Sequence, residues 1–274
     1  NNDPDCLILR DDVPLPEARA RATVAAFSAG SLIFSDSLDR ISADRLAILK
    51  VLLPPLPQAA HYIDFLSSDI PPLLVMDLQP RKEATEMGPW HLVALFHWTN
   101  DSKAVDMELP LSGPALERPD HTACQDWHVF EFWSGTYERC TGGAWASVGS
   151  MQPRSCRLFS VRRARPDVPQ LVGSDIHISC GLEVGLWQSG IDAPTSPGRG
   201  LQISLSAGRT LEAPRLWLSL PGATVASPPR VRAPADQASE SVPGEPALHI
   251  SGDVWRLTFP RVHADVSAPF HVEW

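Results

Sequence analysis

The sequence predicts an α/β segment joined to a longer all-β region. Residues 3–53 alternate between short apolar runs and helix-forming stretches, as strand, helix, strand, helix. After Pro57 short strand-like runs recur with turn residues between them. Proline, at 27 of 274 residues, is roughly twice its usual share of about 5%. That fits a chain of turns and strand edges rather than long helices.

The first strand is Cys6-Leu7-Ile8-Leu9, an apolar run without alternation, as for a strand buried on both faces. Pro16 suits a first helical turn, and Glu17 suits the positive end of the same helix. Alanine carries that helix to about Ser28, where Gly30 offers a stop. Ser31-Leu32-Ile33-Phe34 is the second buried strand and closes on Ser35-Asp36. Ser42 offers an N-cap for a helix with an apolar stripe at Leu46, Leu49, Leu52 and Leu53, ended by Pro54-Pro55.

Two such βα units need parallel neighbours. The last two units of a closed eight-stranded barrel and the end of an open parallel sheet explain the pattern equally well. Strands are then expected at 73–78, 92–98, 104–109, 127–133, 157–162 and 176–179, where the period-two run His128-Val129-Phe130-Glu131-Phe132 indicates an antiparallel sandwich. A further set falls at 201–205, 215–220, 247–250, 254–259 and 270–274. The expected divisions are 1–57, 58–172 and 173–274, with a proline-rich loop at about 221–246.

A formal net charge of −9, with three lysines, argues against nucleic acid as a partner. No apolar run reaches the roughly 18 residues a membrane span needs. Five cysteines without a Cys-x-x-Cys make zinc an unsupported expectation, and no cofactor motif is present. One sequon, Asn100-Asp101-Ser102, leaves both a cytoplasmic and a secreted compartment open. His177 reads as a satisfied structural histidine. Trp127, Phe130, Phe132, Trp133, Tyr137 and Trp145 read first as core, and second as a sugar-stacking surface.

The opening, Asn2-Asp3-Pro4-Asp5-Cys6-Leu7, resembles the Asn-Asp-Pro-Asp-Cys-Leu motif of melibiase-type α-galactosidases, glycoside hydrolase family thirty-six. Ser35-Asp36 is similar to the Ser-Asp closing the last barrel strand of that family. Val93-Ala94-Leu95-Phe96-His97-Trp98-Thr99 resembles its Asn-Trp-Thr strand, with His97 in place of asparagine. The resemblance is strong over about residues 1–55 and loosens beyond.

It implies a (β/α)₈ barrel with its site at the C-terminal strand ends, followed by antiparallel β-sandwich domains. It implies retaining hydrolysis of terminal α-galactosides or related carbohydrates by two carboxyl groups about 5–5.5 Å apart. In the family those two aspartates lie on earlier strands, so no catalytic residue is expected in this chain. The resemblance places Asp5 and Cys6 in the galactose subsite. Asp3, its direction fixed by Pro4, sits at the strand mouth bonding backbone, and Asp36 either lines the site at the functional face or caps the loop. Three readings follow: the C-terminal part of such a glycosidase, inactive alone; a noncatalytic carbohydrate-binding or interaction β-sandwich protein; and an enzyme complete in these residues. On the first, residues 1–55 fold poorly alone, while the chain from 70 onward folds by itself.

Overall fold

The computed structural model describes all residues except 1–4, 64–65, 67–69, 101–102, 112–115, 117–125, 144, 194–195, 235–244 and 265–267; for 192–193 and 196–198 it describes the backbone alone. Asp3, the last two sequon residues and Cys124 lie outside the described residues. The chain is mostly β-strand, in several antiparallel sheets and one parallel pair, and divides into two units. One comprises residues 1–78 and 90–163; the other comprises 79–89 and 164–274.

The first unit opens with β1 (Cys6–Leu7), α1 (Leu15–Phe27), β2 (Ile33–Phe34) and α2 (Ala43–Val51). Strands β1 and β2 are parallel, with Cys6 opposite Ile33 and Leu7 opposite Phe34. They are not buried on both faces: Cys6 is exposed and Ile33 is 50% exposed, while Leu7 and Leu9 are buried. Ser42 stands at the N-cap of α2, but its hydroxyl donates to Asp11 rather than to the helix. The buried line of α2 is Arg45, Ile48 and Leu52, and Leu53 faces out. The Arg45 guanidinium is tolerated inside because it donates to the Val13 carbonyl at 2.6 Å.

The rest of this unit is built from β3 (His61–Tyr62), β4 (Leu73–Leu78), β5 (Trp90–His97), β6 (Val105–Pro110), β7 (Trp127–Glu131), β8 (Thr136–Cys140), β9 (Trp145–Met151) and β10 (Ser155–Arg163). Six strands form one sheet in the order β3-β4-β5-β10-β7-β8, and β6 pairs with β9. On one side of the sheet Val75, Val93, Val129, Phe159 and Val161 meet Leu109 and Met151 of the β6–β9 pair, a sandwich core. On the other side Cys156 of β10 meets α1, where its Sγ lies 3.4 Å from Thr23 Oγ1. Trp133 Nε1 also donates to Thr23 Oγ1, at 3.1 Å.

Helix α1 is buried at Ala18, Ala20, Ala22, Thr23, Ala25, Ala26 and Phe27, which go more than halfway round its circumference. A helix apolar on that much of its surface needs cover on two sides. Alanine supplies little bulk, so strands can approach closely from both. Helix α1 lies on the sheet at Cys156 and Trp133. Both faces of β4, β5 and β10 are largely buried, so these strands show no clear alternation.

The second unit holds β11 (Gln170–Ser174), β12 (Val184–Ala193), β13 (Ser196–Leu205), β14 (Arg215–Ser219), β15 (Arg230–Arg232), β16 (Ala247–Ser251), β17 (Val254–Thr258) and β18 (Phe270–Glu273). Two four-stranded antiparallel sheets form, in orders β11-β14-β17-β16 and β12-β13-β18-β15. Phe259 and Phe270 meet edge-to-face at 5.3 Å between them. The expected proline-rich loop contains β15.

No strand forms at 176–179. The Ser174 and Ser179 side chains turn inward instead, onto the buried Glu183 carboxylate, which accepts from Ser174 Oγ, from Ser179 Oγ at 3.1 Å and from Gly181 N at 2.8 Å. The polar run satisfies one buried charge better than it would fill a ladder. His177 is buried, with Nδ1 2.7 Å from Ser179 Oγ, as a structural histidine. Of the aromatic group, Phe130 and Phe132 are buried, Trp133 packs on α1, and Trp145 is 58% exposed.

Burial pushes the Cys156 thiol up from 9.0 to about 12. Its pKa is raised on folding, so its contribution is present below pH 9 and is lost as pH rises from 9 toward 12. Comparing urea unfolding of the wild type and Cys156→Ala across that window tests this. The wild type loses more stability than the variant, on the order of 1–4 kcal/mol; parallel alkaline limbs would contradict it.

Candidate functional site

Asp5 precedes β1 at a positive φ of 58°, a backbone region that aspartate tolerates better than most residues. Its Oδ1 accepts from Cys6 N at 2.7 Å, and the residue is exposed. Asp36 follows β2. Its Oδ2 accepts from Leu9 N at 2.5 Å and Arg10 N at 3.1 Å, tying the end of β2 to the chain leaving β1. Ser35 N donates to the Leu7 carbonyl at 3.3 Å.

These bonds fix which way the β1 backbone points. Leu7 O and Leu9 N face β2 and its extension. In an extended strand neighbouring residues turn their N–H and C=O to opposite edges. Cys6 and Ile8 therefore present theirs away from β2. A cleft of about 470 Å³ is lined by Cys6, Leu7 and Ile8, by the α1 residues Glu17, Ala20, Arg21, Val24 and Ala25, and by Trp98, Asn100 and Arg154.

Three features shape the cleft walls. Glu17 accepts from Arg21 Nη2 at 2.5 Å and from Arg154 Nη1 at 3.4 Å, so one carboxylate is shared by two guanidinium groups. Arg154 holds a positive φ of 53°, a strained choice for a non-glycine residue. Trp98 is fixed by Phe96, stacked at 4.2 Å and 4° on one ring face, and by donating Nε1 to the Pro71 carbonyl at 3.0 Å. His97 beside it is buried: its Nδ1 donates to Met151 O at 3.0 Å, and its Nε2 lies 2.9 Å from Thr99 Oγ1.

Of the sequence-predicted residues, Cys6 lines the cleft and Asp5 adjoins it. Asp36 does not: Cys6 pairs with Ile33, which leaves Asp5 and Asp36 four residues apart along the ladder, roughly 13 Å. Among the described residues no cluster of three metal-binding side chains occurs. Glu17, Arg21, Trp98 and Arg154 carried no signal as a set, because they converge from a helix and two separate turns. Burial and the nearby Glu138 carboxylate push the Cys140 thiol up to about 11, so Cys140 and Cys156 are both poor nucleophiles at neutral pH.

No family model matches the chain, and no curated protein matches it in sequence. Among solved structures it is similar to α-galactosidase I from Mortierella vinacea, at 13% identity and a TM-score of 0.41, over 57% of this chain and 38% of that one. It is also similar to an α-galactosidase from Saccharomyces cerevisiae with raffinose, at 10% identity and a TM-score of 0.38, over 58% of this chain and 46% of that one. The chain thus spans less than half the length of each.

Cysteine accessibility checks the geometry. At pH 8, alkylation by iodoacetamide is expected to label Cys6 at least tenfold faster than Cys156 and Cys180, read by peptide mass mapping. Equal rates in the folded protein would contradict the exposed position of Cys6.

Proposed function

We propose that this chain is the C-terminal part of a retaining α-galactosidase-like glycoside hydrolase acting on terminal α-galactosides. Its nucleophile and acid/base lie upstream, and the chain alone is inactive. The divisions 1–57, 58–172 and 173–274 belong to this reading: the end of a (β/α)₈ barrel, a sandwich and a further β region. The observation that carries it is the parallel β1–α1–β2 unit, whose first strand lines a cleft at Cys6, Leu7 and Ile8. Among the described residues β1 and β2 pair only with each other. A two-stranded pair is marginal by itself, and Ile33 and Leu38 are left 50% and 59% exposed. Further parallel strands would extend the pair and cover both. The Asn2-to-Leu7 and Ser35-Asp36 resemblances supply the family and the sugar.

In this reading Asp5 and Cys6 bound the galactose subsite. Asp5 accepts a sugar hydroxyl, and Asp36 holds the strand ends in place through Leu9 N and Arg10 N. Hydrolysis with retention would need two upstream carboxyl groups about 5–5.5 Å apart. The test has two arms. The reading frame before Asn1 is expected to encode further βα units with strand-end aspartates. The longer product should hydrolyse an aryl α-galactoside while the 274 residues alone do not. Turnover by the 274 residues, or a longer product without activity, would overturn the proposal. In the longer protein Asp5→Ala should cost about tenfold to hundredfold in kcat/KM, the worth of a hydrogen bond to a charged group; an unchanged value would remove Asp5 from the subsite.

The Trp98 cleft favours a second reading, noncatalytic sugar binding by the chain as it stands, since a pinned aromatic ring beside shared polar groups can seat a pyranose. It requires that methyl α-galactoside perturb Trp98 fluorescence and that Trp98→Ala abolish binding. No binding to the wild type would end this reading and leave the first untouched.

A further inference from the structure

One loop belongs to a different unit from the strands that carry it. Leu78 of β4 pairs with Trp90 of β5, as the last pair of a hairpin in the first unit. The residues between, Gln79–Pro89, belong to the second. They fold as a 3₁₀ segment, Lys82–Met87, kinked at Ala84, where φ is −127° and ψ is 21°. This strap packs on β12. Ala84 and Met87 are buried at 0% and 3% exposure.

Two polar clasps hold it. Arg165 Nη2 donates to the carbonyls of Glu86 at 2.9 Å and Met87 at 3.0 Å, satisfying two acceptors at the end of the segment. Gly88, at a φ of 70°, passes beside the Arg165 guanidinium, where a side chain would be strained. Burial holds that guanidinium below its ordinary pKa range, partly offset by Glu86. The second clasp is Glu86 Oε2, which accepts from Ser189 N at 2.9 Å and Ser189 Oγ at 2.7 Å. Ser189 adjoins a register shift between β12 and β13, and such a bulge frees a backbone N–H from the ladder.

We propose that the 79–89 strap is a coupling device: the β12–β13 hairpin is stabilised by capturing a loop whose two ends are set by the β4–β5 pairing. A loop docked by both ends through a formed hairpin has less freedom to lose than a free segment. Loosening β4–β5 therefore loosens the β12–β13 hairpin through the strap. The clasp residues neither line the cleft nor touch the proposed subsite, so the inference stands apart from the hydrolase reading.

Native-state hydrogen exchange on the whole chain tests it. Arg165→Ala and Glu86→Ala should each lower protection of the β12 and β13 amides at least threefold, and together at least tenfold. Val75→Ala, which loosens β4 in the first unit, should lower β12–β13 protection when the clasps are intact and leave it unchanged when both are removed. Val75→Thr serves as a milder change should the alanine variant fail to fold. The proposal is overturned if Val75 variants unprotect β4–β5 alone in the clasped protein. It is overturned equally if the clasp variants affect only residues 79–89.

Discussion

Helix α1 is the constraint on which the first unit depends. Its alanines leave it without a polar side broad enough to face water, so it must be covered twice. The six-stranded sheet covers one side and the β1–β2 pair another. The pairing is specified by a few polar contacts in an otherwise smooth contact: Thr23 meets Cys156 and accepts from Trp133, and Glu17 meets Arg154. A slip of the helix by one residue would break all of these at once. That is how a featureless alanine surface acquires a single register.

The same constraint gives the candidate site its form. Because α1 is held against the sheet, it also holds β1 and β2 in place, although two paired residues each could not persist alone. Asp36 adds the second restraint by closing the strand ends over Leu9 and Arg10. What results is a parallel pair with a defined outer edge, and a cleft lined by Cys6, Leu7 and Ile8, by α1 residues and by Trp98, Asn100 and Arg154. The proposed glycosidase role uses the edge, and the sugar-binding alternative uses the cleft.

Much of this was legible in the residues. The run Leu73–Leu78 is a strand with the expected bounds, and both helices lie where Pro16, the alanines and Ser42 put them. Hydrophobic pattern suffices when a segment's own composition decides its partner. It failed where buried polar groups or an available strand edge, rather than the apolar pattern, decide the structure. The Ile176–Ser179 run alternates like a strand, yet Glu183, Ser174 and a buried histidine gain more from a polar turn. Thr136–Cys140 and Trp145–Met151 carry glycine, serine and charge, and become strands because β7 and β6 supply edges for them. The parallel register sets Asp5 before β1 and Asp36 after β2, at opposite ends of the pair, which strand prediction without a register could not give. Arg154 at positive φ had no glycine to announce it.

The central claim is that β1 is bonded to β2 along one edge and that, among the described residues, no strand pairs with its other edge, to which Cys6 and Ile8 turn their backbone groups. Amide exchange at three successive positions addresses it most directly. In the 274-residue chain Leu7 and Leu9, whose amides face β2 and Asp36, should exchange slowly, and Ile8 between them should exchange near the rate of an unstructured peptide. Protection of Ile8 equal to that of its two neighbours would mean that the outer edge is already satisfied, and the account built on it would fail.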